Sequence, residues 1–222
     1  MSQYETLMAR DGHTFSTYIA KPAAKARGGV VVVQEIFGLS PHICRVTDSY
    51  AQLGYLAVAP ALFDRVGRGL VLGQSPAEVQ QGVGYRRQIP TAKAVLDIAA
   101  AAAICRHAGK VAVIGFCWGG RLAWAAAAEV PLGAAVCYYG GGIPEELPKI
   151  PQCPTLLHFG ERDTSIPPSD VERIKEAYPA GVYYWYAAGH GFNNDDRPEH
   201  FDAAASALAR ERTVAFLTQH IG

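Results

Sequence analysis

The sequence predicts a single α/β domain in which a mostly parallel sheet carries helices on both faces. Short apolar runs rich in valine and isoleucine alternate along the chain with segments whose apolar residues recur at helical spacing, and this alternation is typical of parallel sheets. Half of the 222 residues are hydrophobic and only 18% are charged, so the chain has enough apolar surface for a sheet buried on both faces. The length fits one domain spanning residues 1–222.

Seven segments are predicted as strands because each is short, apolar or β-branched, and bounded by glycine, proline or polar residues. They are residues 14–20, 30–33, 55–59, 111–115, 133–139, 155–159 and 182–186. The valines of residues 30–33 indicate a central parallel strand, since such a strand has no solvent-facing side. In parallel sheets the active residues lie on loops beyond the carboxyl ends of the strands, so those loops are where we look for chemistry.

Helices are predicted from apolar spacing together with capping residues. The clearest follows Ser40 as N-cap with Pro41 at its first position, and Gly54 is expected to end it. Others are predicted at residues 91–107, at 122–128, after the prolines 167–168, and at about 199–219. Residues 61–90 contain five glycines, so we expect a loop with one or two short helices there, forming a lid or the rim of a pocket.

The composition excludes several classes of function. Lysine plus arginine equals aspartate plus glutamate, 20 each, so nothing indicates nucleic acid or an anionic membrane surface as partner. We expect no secretory signal, because the start lacks a basic region followed by an apolar run. We expect no membrane span, because the longest apolar stretch, residues 94–105, carries Asp97 and is too short to cross a bilayer. The five cysteines form no CxxC pair and do not alternate with histidines at metal-ligand spacing, so reduced thiols in a cytoplasmic protein without a metal site are predicted.

Residues 115–120 read GFCWGG and lie between a predicted strand and an alanine-rich helix. This is the nucleophile-elbow pattern of the α/β-hydrolases, with Cys117 where serine usually stands. The glycines are needed because a nucleophile on a sharp strand-to-helix turn has a strained backbone and crowded neighbours. The start of the following helix favours an anion at the sulfur. The alternative is that Cys117 is a small buried apolar residue, as isolated cysteines often are.

Asp163 and His190 follow two later strands, which gives the chain order nucleophile, acid, histidine of the α/β-hydrolase triad. A thiol needs a base within hydrogen-bond reach, and a carboxylate on the far ring nitrogen holds the imidazole in the required tautomer. Each residue alone has a simpler interpretation, since Asp163 also suits an Asx turn and His190 a solvated loop. Their order and the glycines flanking His190 favour the triad. We therefore predict Cys117, Asp163 and His190 as catalytic.

The loop at residues 35–38 is predicted to complete an oxyanion hole. In this fold one N–H comes from the residue after the nucleophile, here Trp118, and the other from a loop after an earlier strand, where Ile36 is the expected donor. Glu35 is either a solvated or capping charge or a contact of Cys117. In the second case its negative charge opposes thiolate formation and holds the cysteine as an unreactive thiol until substrate arrives.

Four motifs together resemble the dienelactone hydrolases, also called carboxymethylenebutenolidases, over nearly the whole chain. They are QEIFGL at residues 34–39, the GFCWGG elbow, GERD at 160–163 and AGHGF at 188–192. The resemblance implies a single-domain α/β-hydrolase, usually monomeric and without cofactor, that hydrolyses a cyclic enol ester to maleylacetate in the breakdown of chloroaromatic compounds. It also implies that Glu35 contacts the resting thiol and that substrate binding frees it to help form the thiolate.

The sequence departs from that family at two positions. Members acting on dienelactone carry an arginine four residues before a tyrosine matching Tyr85 and another four residues after the triad histidine; here Gln81 and Asn194 stand there. A neutral amide does not form the charge-assisted bidentate pair that an arginine gives a substrate carboxylate. Nearby arginines at 86, 87 and 197 are candidate replacements, although solvated surface charge is their simpler interpretation. The residues expected to bind substrate are Phe37, Gln81, Tyr85 and Asn194.

The leading hypothesis is a cytoplasmic cysteine hydrolase of lactones or small esters, with a small-molecule substrate and no nucleic-acid or membrane partner. One alternative is a broader carboxylesterase or thioesterase that does not act on dienelactone. The other is a ligand-binding or redox-sensing protein that has the fold without catalysis.

Overall fold

The structure, a computed structural model, describes residues 2–222, and one eight-stranded sheet runs through it in the order β1-β2-β4-β3-β5-β6-β7-β8. The strands are β1 Ser2–Met8, β2 Thr14–Ala20, β3 Gly29–Val33, β4 Leu56–Pro60, β5 Val111–Phe116, β6 Ala134–Tyr138, β7 Thr155–Gly160 and β8 Val182–Tyr186. β1 and β2 pair antiparallel, β2 is antiparallel to β4, and all other neighbours are parallel. The prediction of a mostly parallel α/β sheet is confirmed.

Besides three short 3₁₀ helices, six α-helices accompany the sheet within residues 2–222. They are α1 Pro41–Gln52, α2 Pro76–Gln88, α3 Thr91–Cys105, α4 Trp118–Glu129, α5 Pro168–Ala177 and α6 Ala203–Ile221. α3 and α4 pack against each other and cover β3 to β6, while α1 and α6 are joined by a hydrogen bond from Arg210 Nη1 to Ser49 Oγ. Every residue of β3, β4, β5 and β6 is buried, as expected of strands covered on both faces.

The capping residues define two helix starts. The Ser40 hydroxyl accepts a hydrogen bond from the Ile43 N–H, and Pro41 occupies the first turn of α1 as predicted. α6 begins four residues later than predicted, at Ala203, because the Asp202 carboxylate caps it by accepting a hydrogen bond from the Ala205 N–H.

One strand was not anticipated, and one helix is longer than expected. β1 was missed because it is an edge strand and has no buried face, so no apolar alternation marks it; Met8 is 68% exposed. α2 is thirteen residues long, whereas only one or two short helices were expected in residues 61–90, because its internal glycines obscured its extent. Gly82 is required by packing, since a Cβ there would lie 2.0 Å from the Ile36 carbonyl oxygen. α2 therefore rests directly on the loop predicted to hold the oxyanion.

Within residues 2–222, no single helix has both the length and the apolar character needed to cross a bilayer. The helix pair Pro76–Gln88 and Thr91–Ala108 meets those two criteria only when taken together, with a bend of 90° between its members.

Candidate active site

Cys117 lies at the turn between β5 and α4 with φ of 55° and ψ of −115°, a conformation that a side chain rarely adopts. Two glycines make room for this turn. A Cβ on Gly115 would lie 1.8 Å from the Gly119 carbonyl oxygen, and a Cβ on Gly119 would lie 2.4 Å from the Val33 carbonyl oxygen. The local structure is thus the strand–turn–helix elbow that the GFCWGG pattern predicted, and it presents the sulfur at the first turn of α4.

The three residues of the predicted triad lie within hydrogen-bond reach of one another. His190 Nε2 is 3.1 Å from Cys117 Sγ, and His190 Nδ1 is 2.7 Å from Asp163 Oδ2. The other carboxylate oxygen of Asp163 accepts a hydrogen bond from the Ser165 N–H at 2.8 Å, which holds the acid in place. Asp163 and His190 reach the sulfur because they follow β7 and β8, whose carboxyl ends lie at the same edge of the sheet as the end of β5.

The electrostatics at His190 favour an imidazolium. Burial by itself lowers the pKa of His190, but the negative charge of a Cys117 thiolate and the hydrogen bonds to Asp163 and Cys117 outweigh it and raise that pKa well above its ordinary value. The first N–H groups of α4 also favour negative charge on the sulfur. The arrangement can therefore hold a thiolate–imidazolium pair, which is the reactive form of a cysteine nucleophile.

Two backbone N–H groups are free to bind an oxyanion. Trp118 is the first residue of α4, and Ile36 follows the carboxyl end of β3; neither N–H donates to another group in residues 2–222. These two N–H groups lie in the two segments predicted to supply the oxyanion donors, the elbow and the QEIFG loop.

Gln34 orients one of these donors, and the sequence reasoning missed it. Its side chain is completely buried, its Nε2 donates to the Glu35 carbonyl oxygen at 3.2 Å, and its Oε1 accepts from the Leu62 N–H at 3.0 Å. The Glu35 carbonyl and the Ile36 N–H belong to one peptide unit, so this hydrogen bond sets the direction of the predicted oxyanion donor. The position of Gln34 as the first residue of the QEIFG motif is the feature of the sequence that could have indicated this role.

Glu35 is buried, at 3% exposure, so its interpretation as a solvated charge is wrong. Its carboxylate accepts a hydrogen bond from the Asn194 side-chain amide. The expected hydrogen bond between Glu35 and the Cys117 thiol is not made, because the sulfur is bonded to His190 and the carboxylate to Asn194.

The four residues expected to bind substrate occupy different environments. Asn194 is completely buried against Glu35, so it supports that carboxylate and presents no surface to a substrate. Gln81 is exposed on α2 and donates to the Tyr85 hydroxyl. Tyr85 packs edge-on against Phe63, with ring centroids 5.5 Å apart. Phe63 in turn stacks on Trp118 with ring centroids 5.8 Å apart, which places α2 beside the nucleophile. Tyr85, Phe63 and Trp118 thus form a continuous row of aromatic rings, in which Phe63 was not predicted from the sequence.

Phe37 is buried beneath Arg197, whose guanidinium carbon lies 5.5 Å from the centre of its ring. The Arg197 side chain is 15% exposed, so it is not the solvated surface charge that was the simpler interpretation. Its Nη2 lies 2.8 Å from His200 Nε2, and because a guanidinium only donates, that nitrogen accepts. His200 Nδ1–H then donates to the His190 carbonyl oxygen at 3.2 Å. The Arg197 Nε also lies 3.6 Å from the carboxylate of the exposed Glu199, so Arg197 is a cation at the rim of the triad that is paired on its solvent side.

Within residues 2–222, no group of three or more histidine, cysteine, aspartate or glutamate side chains has a metal-binding arrangement, and all five cysteines are free thiols.

The comparison with known proteins agrees with this geometry. The model of the dienelactone hydrolase family matches residues 15–221. A putative carboxymethylenebutenolidase from Yersinia pestis is 36% identical, covering 97% of this chain and 88% of the relative, and the carboxymethylenebutenolidase of Pseudomonas putida is 33% identical, covering 96% and 94%. A solved putative dienelactone hydrolase from Klebsiella pneumoniae has a TM-score of 0.84 at 30% identity and covers 99% of both chains. An esterase from Pyrococcus furiosus, 16% identical with a TM-score of 0.73 over 100% of this chain and 92% of its own, shares the fold.

Proposed function

This chain belongs to the dienelactone hydrolase family and is a carboxylic ester hydrolase, and we propose that Cys117 is its nucleophile and that lactones or small esters are its substrates. The observation that carries the proposal is the pair of contacts at His190, 3.1 Å from the sulfur through Nε2 and 2.7 Å from Asp163 through Nδ1. A nucleophile, a base and an orienting acid in that geometry are the requirements of acyl transfer.

The reaction follows from these positions. The Cys117 thiolate attacks the carbonyl carbon, and the N–H groups of Ile36 and Trp118 bind the developing oxyanion; one such donor is worth about 2.7–4 kcal/mol in the transition state. The tetrahedral intermediate expels the alcohol or enol oxygen, which takes the proton from His190 Nε2. In a lactone that oxygen stays tethered to the acyl group. Neutral His190 then removes a proton from water, which attacks the thioester, releases the carboxylic acid and regenerates the thiolate.

Glu35 belongs to this proposal as an assistant of thiol activation. Its hydrogen bond with Asn194 is the resting position, and on substrate binding the Glu35 carboxylate turns toward the sulfur and assists thiolate formation. The reaction needs no cofactor, and the enzyme acts as a cytoplasmic monomer on small molecules without a nucleic-acid or membrane partner.

The role of Cys117 is tested by substitution. Cys117→Ala removes the attacking atom, so kcat should fall by at least ~10⁴-fold, and Cys117→Ser should retain little activity because a hydroxyl is far less ionised than a thiol. The measurement is steady-state hydrolysis of p-nitrophenyl acetate and of dienelactone, with Cys153→Ala, a buried cysteine elsewhere, as matched control.

Turnover that survives in purified Cys117→Ala would contradict the proposal. A single stoichiometric acylation of the wild-type protein without further turnover would instead support the non-catalytic alternative.

The substrate class is tested at Arg197. We propose that this guanidinium contacts an anionic substituent of the substrate, since a bidentate arginine–carboxylate pair is strong in a mostly buried position. Arg197→Gln should then lower kcat/KM for dienelactone, which carries a carboxylate, by roughly tenfold or more and leave p-nitrophenyl acetate within about threefold. The exposed Arg87→Gln is the matched control. Equal loss on both substrates would mean that Arg197 only supports the His190 loop. Wild-type preference for neutral esters would favour a broader carboxylesterase.

A further inference from the structure

Tyr139 is a strained residue beside the nucleophile that the reaction described above does not use. It directly follows β6, and the preceding residue's carbonyl oxygen accepts a hydrogen bond from the Cys117 N–H at 3.0 Å. Its φ is +36°, in the region that disfavours side chains, and with Cys117 it is one of the two non-glycine residues of the described chain with positive φ. Such strain persists where the surrounding structure enforces it, most often at functional sites.

The Tyr139 hydroxyl is unsatisfied. The side chain is completely buried, yet within residues 2–222 no group meets the geometry of a hydrogen bond with that hydroxyl. Its neighbour Tyr138 is equally buried, and there the hydroxyl lies 2.7 Å from Thr213 Oγ1. The two adjacent tyrosines thus differ in whether the hydroxyl has a hydrogen-bond partner. A buried polar group without a partner is destabilising unless it acquires one during function.

The surroundings of Tyr139 are those of the triad. Its ring packs edge-on against His190 with centroids 5.2 Å apart and against Phe192 at the same distance. Burial raises the pKa of Tyr139 well above its ordinary value, and the negative charges of Glu35 and Cys117 and the proximity of the hydroxyl to the Glu35 carboxylate add to this effect. The phenol therefore keeps its proton and remains a hydrogen-bond donor close to both anionic groups.

Those two groups create an electrostatic problem. A Glu35 carboxylate and a Cys117 thiolate at one site are two negative charges. The positive charge in contact with the sulfur is that of His190, which Asp163 already neutralises from the other side. The Arg197 guanidinium at the rim lies 3.6 Å from the Glu199 carboxylate. The cation on α4, Arg121, is paired with Glu145 and Glu146 and does not relieve the repulsion.

We propose that Tyr139 is a positioning residue whose free hydroxyl donates a hydrogen bond into the space between Glu35 and Cys117 and allows carboxylate and thiolate to exist there together. The inference rests on the proposed function, because it concerns the activation of the same nucleophile. It assigns a role to a buried donor that otherwise only costs stability.

The test is the pH dependence of iodoacetamide alkylation of Cys117, which needs no turnover and so can fail independently of the hydrolase proposal. In Tyr139→Phe the midpoint should rise by about one pH unit, since one donor to an anionic state is lost, and kcat at neutral pH should fall about tenfold with KM within about threefold. Tyr138→Phe removes an equally buried hydroxyl one residue away and should leave the midpoint unchanged.

Two further results separate this role from a structural one. Tyr139→Phe should have a Tm equal to or above that of the wild type, because it deletes an unpartnered group, whereas Tyr138→Phe should have a lower Tm. Glu35→Gln should lower the alkylation midpoint and, with one anion removed, should abolish the effect of adding Tyr139→Phe. A Tyr139→Phe midpoint equal to that of the wild type, or an undiminished shift in the Glu35→Gln background, would overturn the proposal.

Discussion

Two histidines of this protein, His158 completely buried and His190 partly buried, have pKa values shifted in opposite directions. His158, within β7, lies 2.7 Å from the Tyr186 hydroxyl through Nδ1 and 2.9 Å from Thr213 Oγ1 through Nε2. Burial and the positive charge of Arg212 lower the pKa of His158 to about 3. His190 has an Nδ1 contact of the same length, 2.7 Å, but its partner is a carboxylate and its pKa is raised.

Burial lowers the pKa of both histidines and their Nδ1 contacts are equally long, so the difference shows that the charge of the partners sets the direction of each shift. Neutral hydroxyls cannot offset the cost of burying an imidazolium, whereas Asp163 and a Cys117 thiolate can. The neutral network links β6, β7, β8 and α6 and is structural. The charged network at the sheet edge has the properties needed for chemistry.

The largest expected effect comes from removing the charge at His190 while keeping its shape. Asp163→Asn leaves a group of the same size next to Nδ1 but removes the carboxylate that stabilises the imidazolium, so kcat should fall by about 10²–10⁴-fold. Steady-state hydrolysis of p-nitrophenyl acetate provides the measurement. Thr213→Val, which breaks the neutral network, is the control and should keep kcat within about threefold. An equal loss of kcat in Asp163→Asn and Thr213→Val would mean that the charged and neutral networks do not differ in function.

A smaller effect is expected on stability at His158. The pKa of His158 is lower in the folded protein than its ordinary value of 6.5. Between about pH 6.5 and pH 3, the unfolded chain therefore binds a proton at this residue and the folded protein does not. The free energy of unfolding therefore loses up to about 1.4 kcal/mol per pH unit from this residue as the pH falls from 6.5 toward 3. His158→Gln lacks this dependence. Its destabilisation relative to the wild type should be largest at about pH 7.5 and smaller by up to about 2.7 kcal/mol at about pH 4.5.

Urea denaturation at both pH values gives this difference, and activity per folded molecule at neutral pH should stay close to that of the wild type. A destabilisation that is the same at both pH values would mean that His158 titrates normally and that the contrast with His190 is not electrostatic.

Sequence patterns predicted most of the fold and the central residues of the candidate site. Periodicity and β-branched runs located seven of the eight strands. Six of these have at least one buried face, and β8, an edge strand in which only Tyr186 is buried, was recognised by its valine and aromatic residues. The elbow was predictable because a nucleophile on a strand-to-helix turn has a recognisable glycine pattern, although Gly119 is also required by contact with the distant Val33 carbonyl. β1 and the full length of α2 were not predicted, since an exposed edge strand shows no periodicity and Gly82 reflects contact with a distant loop.

What the sequence by itself determined is the chemistry available: a cysteine on a strained turn, an acid and a histidine after later strands, and a QEIFG loop. Only the tertiary structure decided the partners. It paired Glu35 with Asn194 instead of the thiol, turned Gln34 toward the oxyanion loop, brought Arg197 to the rim and left the Tyr139 hydroxyl unsatisfied. The physical reason is the distance along the chain over which each feature is determined. Residue spacing reflects local backbone geometry, whereas hydrogen-bond partners and the burial of charges depend on segments that meet only after the sheet has formed.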